Sequence, residues 1–255
     1  MTDNRGGGGG GIQLLIPPPV DPERLRADAS LEIRSFGGET MGTSWSVVAA
    51  LPADTSLDPL RFRLETGFAS IVAQVSQWEP TSELSRYNAA PGDSWHHISP
   101  QFAMVIEAAL ALQHASGGAF NPAIGRASEA WGFGVSDMRG EPPDAAGLAP
   151  RAGLRFDKAG RRLYQPGGVM LDLSGIAKGF AVDHALAGLR AAGIAHALVE
   201  IGGELAASGV RPDGQPWWVN VEPPPGLNVP PARIALSNWA VATSGHYLRR
   251  RGAEG

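Results

Sequence analysis

The segment from Val169 to Glu204 constrains this chain more than any other. Val169-Met170-Leu171-Asp172-Leu173 is a short apolar run with one carboxylate, and it reads as a strand with Asp172 at its end. Ser174-Gly175 then opens a predicted helix whose apolar residues Ile176, Phe180, Leu186 and Leu189 recur at helical spacing. That helix stops near Ala192-Gly193, where glycine takes the left-handed cap conformation. A second apolar run, Ala197 to Ile201, leads into Gly202-Gly203-Glu204.

Lys178 falls in the first turn of the predicted helix. The positive end of the macrodipole disfavours a cation there by roughly 0.3–1 kcal/mol, while the free amides of the same turn favour an anion. A lysine beside those amides, with Asp172 one strand-end away, suggests a phosphate site with a carboxylate near it. A lone lysine at such a place also reads well as a side chain that snorkels to solvent, so the case for a site rests on company elsewhere in the chain.

The whole sequence narrows the possibilities. With 255 residues, 43% hydrophobic and 18% charged, it suits a globular protein with a substantial core. A net charge of −4, with no basic run interleaved with aromatics, argues against a nucleic-acid partner. Cysteine is absent, which removes disulfide frameworks, thiol nucleophiles, Cys-ligated zinc and iron–sulfur clusters together. No apolar stretch approaches the ~20 residues of a spanning helix. The start has no cationic region followed by an apolar core, so the expected location is the cytoplasm.

In chain order, residues 1–30 read as a flexible tail, six glycines followed by Pro17-Pro18-Pro19. Leu31–Phe36 and Ser44–Ala50 read as strands joined by a Gly/Thr loop that contains Met41. Asp58-Pro59 reads as helix cap plus first helical residue, and Leu60, Leu64, Phe68, Ile71 and Val75 form one apolar face. Trp78 and a polar loop follow; a tryptophan there is either a stacking platform or core. Ser99-Pro100 repeats the cap signal for a helix with Phe102, Val105, Ile106, Ala109 and Leu112 inward, ending at Ser116-Gly117-Gly118. Residues 136–150 read as a surface loop, and Leu154–Asp157 with Arg161–Gln165 as a hairpin. Beyond Glu204 the pattern is β, at Leu205–Ala207, Trp217–Glu222 and Ile234–Val241. Helices and hairpins in blocks, without strict βαβ alternation, predict an α+β fold with mixed, largely antiparallel sheets.

Several chemistries lack their motif. There is no GxGxxG after a strand, no GxxxxGK[ST] and no GxSxG. Ser174 and Lys178 are four apart, which does not match Ser-x-x-Lys. The histidines make no HExxH, and His96-His97 reads as a surface pair. What remains is a set of small-residue loops, each with one unusual residue, of the kind that lets backbone approach a large phosphate-bearing ligand.

Seven motifs in order carry a family resemblance. They are Met41-Gly42-Thr43-x-Trp45; the Trp78 loop with Ser82-Glu83-Leu84-Ser85-x-x-Asn88; Gly118-Ala119-Phe120-Asn121-Pro122; and Trp131-Gly132-Phe133-Gly134. Leu171-Asp172-Leu173-Ser174-Gly175-Ile176-Ala177-Lys178-Gly179, Gly202-Gly203-Glu204 and Ala242-Thr243-Ser244-Gly245 complete the series. Over roughly residues 38–250 the chain resembles the FAD:protein FMN transferases of the ApbE type.

The resemblance implies Mg²⁺-dependent transfer of FMN from FAD to a Thr or Ser hydroxyl of an acceptor flavoprotein subunit, with release of AMP. It implies a ligand cleft between two subdomains within residues 31–255. Met41, Trp78, Ala119, Phe120, Asn121, Asp172 and Lys178 would contact FAD, and the Gly175 carbonyl would be a metal ligand. Two departures accompany it. Asn121 and Ala123 stand where the family usually has Asp and Thr. The family also continues past Ser-Gly-x-Tyr with an Asp-Pro-x-Thr-Gly segment bearing further metal ligands, so the expectation is a chain lacking that segment. A flavin-binding module without catalysis, and an FAD hydrolase giving FMN and AMP, remain as alternative readings.

Overall fold

The structure is a computed structural model, and its described residues are 12–16, 25–136, 153–223, 226 and 228–245. Most of the segment read as a tail, most of the loop at 136–150, and residues 246–255 lie outside them.

The chain order is β1 (Gln13–Leu15), β2 (Glu32–Thr40), β3 (Thr43–Leu51), α1 (Asp58–Val75), α2 (Glu83–Asn88), β4 (Ser94–His97), α3 (Pro100–Ala115) and α4 (Gly125–Ala130). Then come β5 (Arg155–Asp157), β6 (Arg162–Gln165), α5 (Ser174–Ala191), β7 (Ala197–Ile201), β8 (Glu204–Ser208), β9 (Trp217–Val221), β10 (Ala232–Leu236) and β11 (Ala240–Ala242). The central sheet runs β11-β8-β7-β3-β2, and every pairing in it is antiparallel. A second antiparallel sheet runs β4-β6-β5. The third runs β1-β10-β9 and contains the one parallel pair among the described residues, Gln13–Leu15 alongside Ala232–Ile234. This is the α+β architecture the block pattern predicts, and it gives Gln13–Leu15, inside the segment read as a tail, a place in a sheet.

Alternation along the central strands explains the layers. Trp45, Val47 and Ala49 of β3 and Ala197, Val199 and Ile201 of β7 are buried on one face, against α1, α3 and α5. On the opposite face Val48 and Leu198 pack with Trp217 and Leu236 of the β1-β10-β9 sheet. Trp45 meets Phe36 and Phe68 edge-on, with centroids 6.0 and 5.3 Å away, and its ring fills the centre of the helical side. Helices lie on one side of the sheet and a small sheet on the other.

Helix α1 buries the five residues its periodicity marks, Leu60, Leu64, Phe68, Ile71 and Val75. Its start differs from expectation by one position. Leu57 is the N-cap, without a side-chain hydrogen bond, and Asp58 lies inside the first turn, where its charge complements the macrodipole. Ser99 does cap α3, with its hydroxyl accepting from the Phe102 amide at 3.4 Å. Leu112 of α3 is not inward but 43% exposed, at the end of the helix beyond its partners. The run Ile234–Val241 is two strands rather than one. Asn238 (φ +59°) breaks it in the left-handed region that asparagine tolerates.

The largest departure concerns Val169–Leu173, which belongs to no strand. Its backbone groups are satisfied without a ladder. The Asn88 amide pairs with both backbone groups of Leu171, donating to its carbonyl at 2.9 Å and accepting from its N–H at 2.8 Å. Asp172 N–H donates to Pro122 O at 2.8 Å, and the Met170 carbonyl accepts from Gly125 N–H at 2.9 Å. Gln165 serves Val169 in the same way, accepting from its N–H and donating to its carbonyl. A side-chain amide has one donor and one acceptor in peptide-like geometry, so Asn88 replaces a neighbouring strand.

Candidate functional site

The segment held by Asn88 delivers Asp172 to the start of α5. The helix N-cap, Leu173, offers no side-chain acceptor. Asp172 supplies it from one residue upstream, with Oδ1 accepting from the Ser174 amide at 2.8 Å and Oδ2 accepting from the Ser128 hydroxyl at 2.6 Å. A carboxylate at this end also complements the helix dipole. Gln77, buried, donates its side-chain amide to the Ser174 hydroxyl at 3.3 Å. The loop before α2 is thereby fastened to the same helix turn.

Trp78 follows Gln77 and is 52% exposed, so its ring is not part of the core. Phe120 is half-buried against the main core, and its ring edge lies 3.3 Å from where a Cβ on Gly175 would stand. Asn121 turns inward on its own loop, Oδ1 accepting from the Ala123 amide at 2.9 Å. Ala119, next to Phe120, is exposed.

Lys178 lies one turn beyond Ser174, on the same helix face. Its ammonium contacts Glu204 Oε2 at 2.5 Å and donates to the Gly202 carbonyl at 3.1 Å. Glu204 Oε2 is buried and makes no hydrogen bond of acceptable geometry, so charge holds this pair. The tight turn from β7 to β8 carries Gly202 at φ +54° and Gly203 at φ +93°, left-handed conformations that suit glycine. A Cβ at Gly202 would stand 2.7 Å from the Thr43 side chain, so this turn abuts the β2–β3 turn. In that second turn Met41 has φ +50° and packs half-buried on the core. Thr243 completes the corner, its hydroxyl 3.4 Å from the Gly203 carbonyl.

The expected residues therefore converge on the first two turns of α5. Asp172, Gly175 and Phe120 are in direct or near contact there, Trp78 arrives through Gln77 and Ser174, and Met41 arrives through Thr43 and Gly202. Ala119 and Asn121 flank Phe120; their hydrogen bonds run from Ala119 N–H to Ser116 O and from Ala123 N–H to Asn121 Oδ1, within their own loop. Sequence reasoning missed Ser128 and Gln77, for which no local pattern exists. Glu204 stands in the Gly202-Gly203-Glu204 motif, but nothing local in the sequence pairs it with Lys178.

Glu129, beside Ser128, faces Asp172 electrostatically. Burial pushes its carboxyl up, but hydrogen bonds from the Ser136 hydroxyl and amide and the Val135 amide outweigh this and hold it below its ordinary range. A groove of about 260 Å³ between α5 and the β8–β11 edge, lined by Gly179, Val182, Glu204 and Ala240, opens beside the Lys178–Glu204 pair. No helix among the described residues is long and apolar enough to cross a membrane.

Comparison with known proteins gives a consistent picture. Residues 41–255 match the model of a family described as the ApbE family. The chain is 32% identical over 235 residues to the FAD:protein FMN transferase of Haemophilus influenzae, a match covering 85% of this chain and 66% of that protein. To the FAD:protein FMN transferase of Klebsiella pneumoniae it is 28% identical over 220 residues, covering 82% of this chain and 63% of the relative. The chain thus spans 63% and 66% of the lengths of these curated relatives. The solved flavin transferase ApbE from Vibrio cholerae superposes with a TM-score of 0.78 at 29% identity, over 88% of this chain and 74% of that one. The chain belongs to the ApbE family.

Proposed function

We propose that this protein transfers FMN from FAD to a Thr or Ser hydroxyl of an acceptor flavoprotein subunit, releasing AMP. The acceptor oxygen forms a bond to the FMN phosphorus, and the bond from that phosphorus to the AMP oxygen breaks. Displacement of this kind depends mostly on positioning and on neutralising phosphate charge. One observation carries the reading: α5 joins a start capped by Asp172, a lysine one turn on, and, through Gln77 and Ser174, the loop that bears the exposed Trp78. The family membership, and the activity named for its relatives, point the same way.

In this reading Lys178 faces the diphosphate and the exposed Trp78 ring stacks on a flat ring of FAD. The Ser174, Ile176 and Ala177 amides of the helix start are engaged by Asp172 and the Leu173 carbonyl. Met41, Ala119, Phe120, Asn121 and Asp172 line the rest of the ligand. Mg²⁺ fits the chemistry of the donors in kind. Among the described residues no group of three or more His, Asp or Glu could hold a metal. Mg²⁺, however, takes few protein oxygens and completes its shell with water and substrate phosphates. The Asp172 carboxylate and the Gly175 carbonyl are the oxygens that would hold it, and when bound it would supply charge neutralisation at the phosphates.

The test is to mix the protein with FAD, Mg²⁺ and an acceptor domain bearing a candidate Thr. Flavin fluorescence that stays with the acceptor on a denaturing gel is the expected result. Free FMN and AMP with no labelled acceptor would replace this reading with hydrolysis. Intact FAD with a bound-flavin spectrum would reduce it to binding.

A further inference from the structure

The Lys178–Glu204 pair poses a problem for the lysine that the proposed reading sets against the diphosphate. Glu204 is not a loose surface acid. It is the first residue of β8, and its backbone is registered against Ile201 on one side and Ala242 on the other. The Gly202-Gly203 turn that precedes it is pinned in turn, because the Gly203 amide donates to Glu200 Oε1 at 2.8 Å. The side chains are 31% exposed for Lys178 and 17% for Glu204, so solvent screens the pair only in part. An ammonium has three donors. One reaches Gly202 O, and the Glu204 carboxylate stands 2.5 Å from the nitrogen as an ion pair without a hydrogen bond of good geometry.

A phosphate that reaches Lys178 must therefore lie within a few ångströms of the Glu204 carboxylate. Like charges at that separation in a partly desolvated corner repel strongly. A bare diphosphate meets this repulsion in full, whereas one whose charge is reduced by a bound divalent cation meets much less of it. Resting on the flavin-nucleotide reading above, we propose that Glu204 is a specificity-determining residue. It holds Lys178 in the ligand-free protein and rejects uncomplexed phosphate, so that the corner accepts a diphosphate only together with a divalent cation.

The test titrates the full chain with ADP and with FAD, each in EDTA and in Mg²⁺, for wild type, Glu204→Gln, Lys178→Met and the double variant. In EDTA, Glu204→Gln should bind ADP about tenfold more tightly than wild type, as removal of one close like charge predicts. In Mg²⁺ the two should converge. The gain should vanish in the Lys178→Met background, because the two residues act on one contact. A misfolded variant does not gain affinity, so the direction of change separates selectivity from structural damage. If Glu204→Gln is unstable, Glu204→Asp, which withdraws the carboxylate by one methylene, should show a smaller gain in the same direction. Unchanged or weaker ADP binding in EDTA, with FAD still bound in Mg²⁺, overturns the role of Glu204 alone. Failure of wild type and variant alike to bind FAD in Mg²⁺ overturns the flavin reading and this proposal with it.

Discussion

Phe120 lies against Gly175, with its ring edge 3.3 Å from the position a Cβ on that glycine would take. The contact is what lets the 119–121 loop close over the start of α5. Gly175 is helical, so Gly175→Ala gains about 1 kcal/mol of helix propensity but must push Phe120 aside by a few tenths of an ångström. Urea unfolding of Gly175→Ala should therefore show a change within about 1 kcal/mol of wild type. Gly175→Val, bulkier and β-branched, should lose about 1–3 kcal/mol. Both should weaken FAD binding more than they change stability, and a Gly175→Val protein with wild-type FAD affinity would show that the loop and the ligand do not meet here.

Asn88 should be worth more to stability than an average polar residue. Its amide is the sole described partner of both backbone groups of buried Leu171. Asn88→Ala leaves a buried N–H and a buried C=O unpaired, at about 1–3 kcal/mol each. Asn88→Asp keeps the acceptor and loses the donor, so chemical denaturation should place it between wild type and Ala.

That residue also shows what a linear reading can and cannot see. The periodicity of α1 is legible in full, since it buries the stripe its apolar spacing marks. Helix α5 buries Leu186 and Leu189 of its expected stripe together with Ala181, Val182 and Ala185, and leaves Ile176 and Phe180 only partly buried. Gly193 (φ +83°) ends α5 as a left-handed cap. The strand read at Val169–Leu173 was not a strand, because what satisfies its backbone is a side chain 83 residues earlier. Helices α2 and α4 have six residues each, too few to display a period. The site was legible in two unequal ways. Asp172 before the helix follows from helix electrostatics, whereas Lys178, expected in the first turn, lies one turn further on because α5 begins at Ser174. Met41, Trp78, Ala119 and Asn121 are proposed for the site only on the order of the motifs. The Glu204 partner of Lys178 was invisible to both, because the contact depends on how the β7–β8 turn folds back on α5.

Glu129 predicts a pH dependence. Its folded carboxyl is held below the ordinary value of 4.5, with burial outweighed by the Ser136 and Val135 hydrogen bonds. A carboxylate with a lowered folded value contributes stability above its unfolded value and loses it as pH falls through the folded one. Stability of the wild type should therefore drop on acidification below pH 4.5 in part through this group. Glu129→Gln should show a shallower drop over the same window in urea midpoints measured at successive pH values. An equally steep drop would show that the turn at 134–136 does not discriminate the ionised form.

Replacing Lys178 with Met separates binding from folding. The substitution keeps the apolar stem along α5 and removes the ammonium, leaving Glu204 Oε2 buried with no cation beside it. An unpaired acid of this kind destabilises by about 1–3 kcal/mol, reduced here because Lys178 is partly exposed and solvent already screens the pair. A domain with a continuous core across α1, α3, α5 and the central sheet tolerates that loss, so circular dichroism should remain that of wild type. FAD binding in Mg²⁺ should weaken by tenfold or more, since a phosphate contact to a charged donor is worth about 1.5–3 kcal/mol. Equal FAD affinity in a folded Lys178→Met protein would show that the diphosphate does not lie at the first turns of α5.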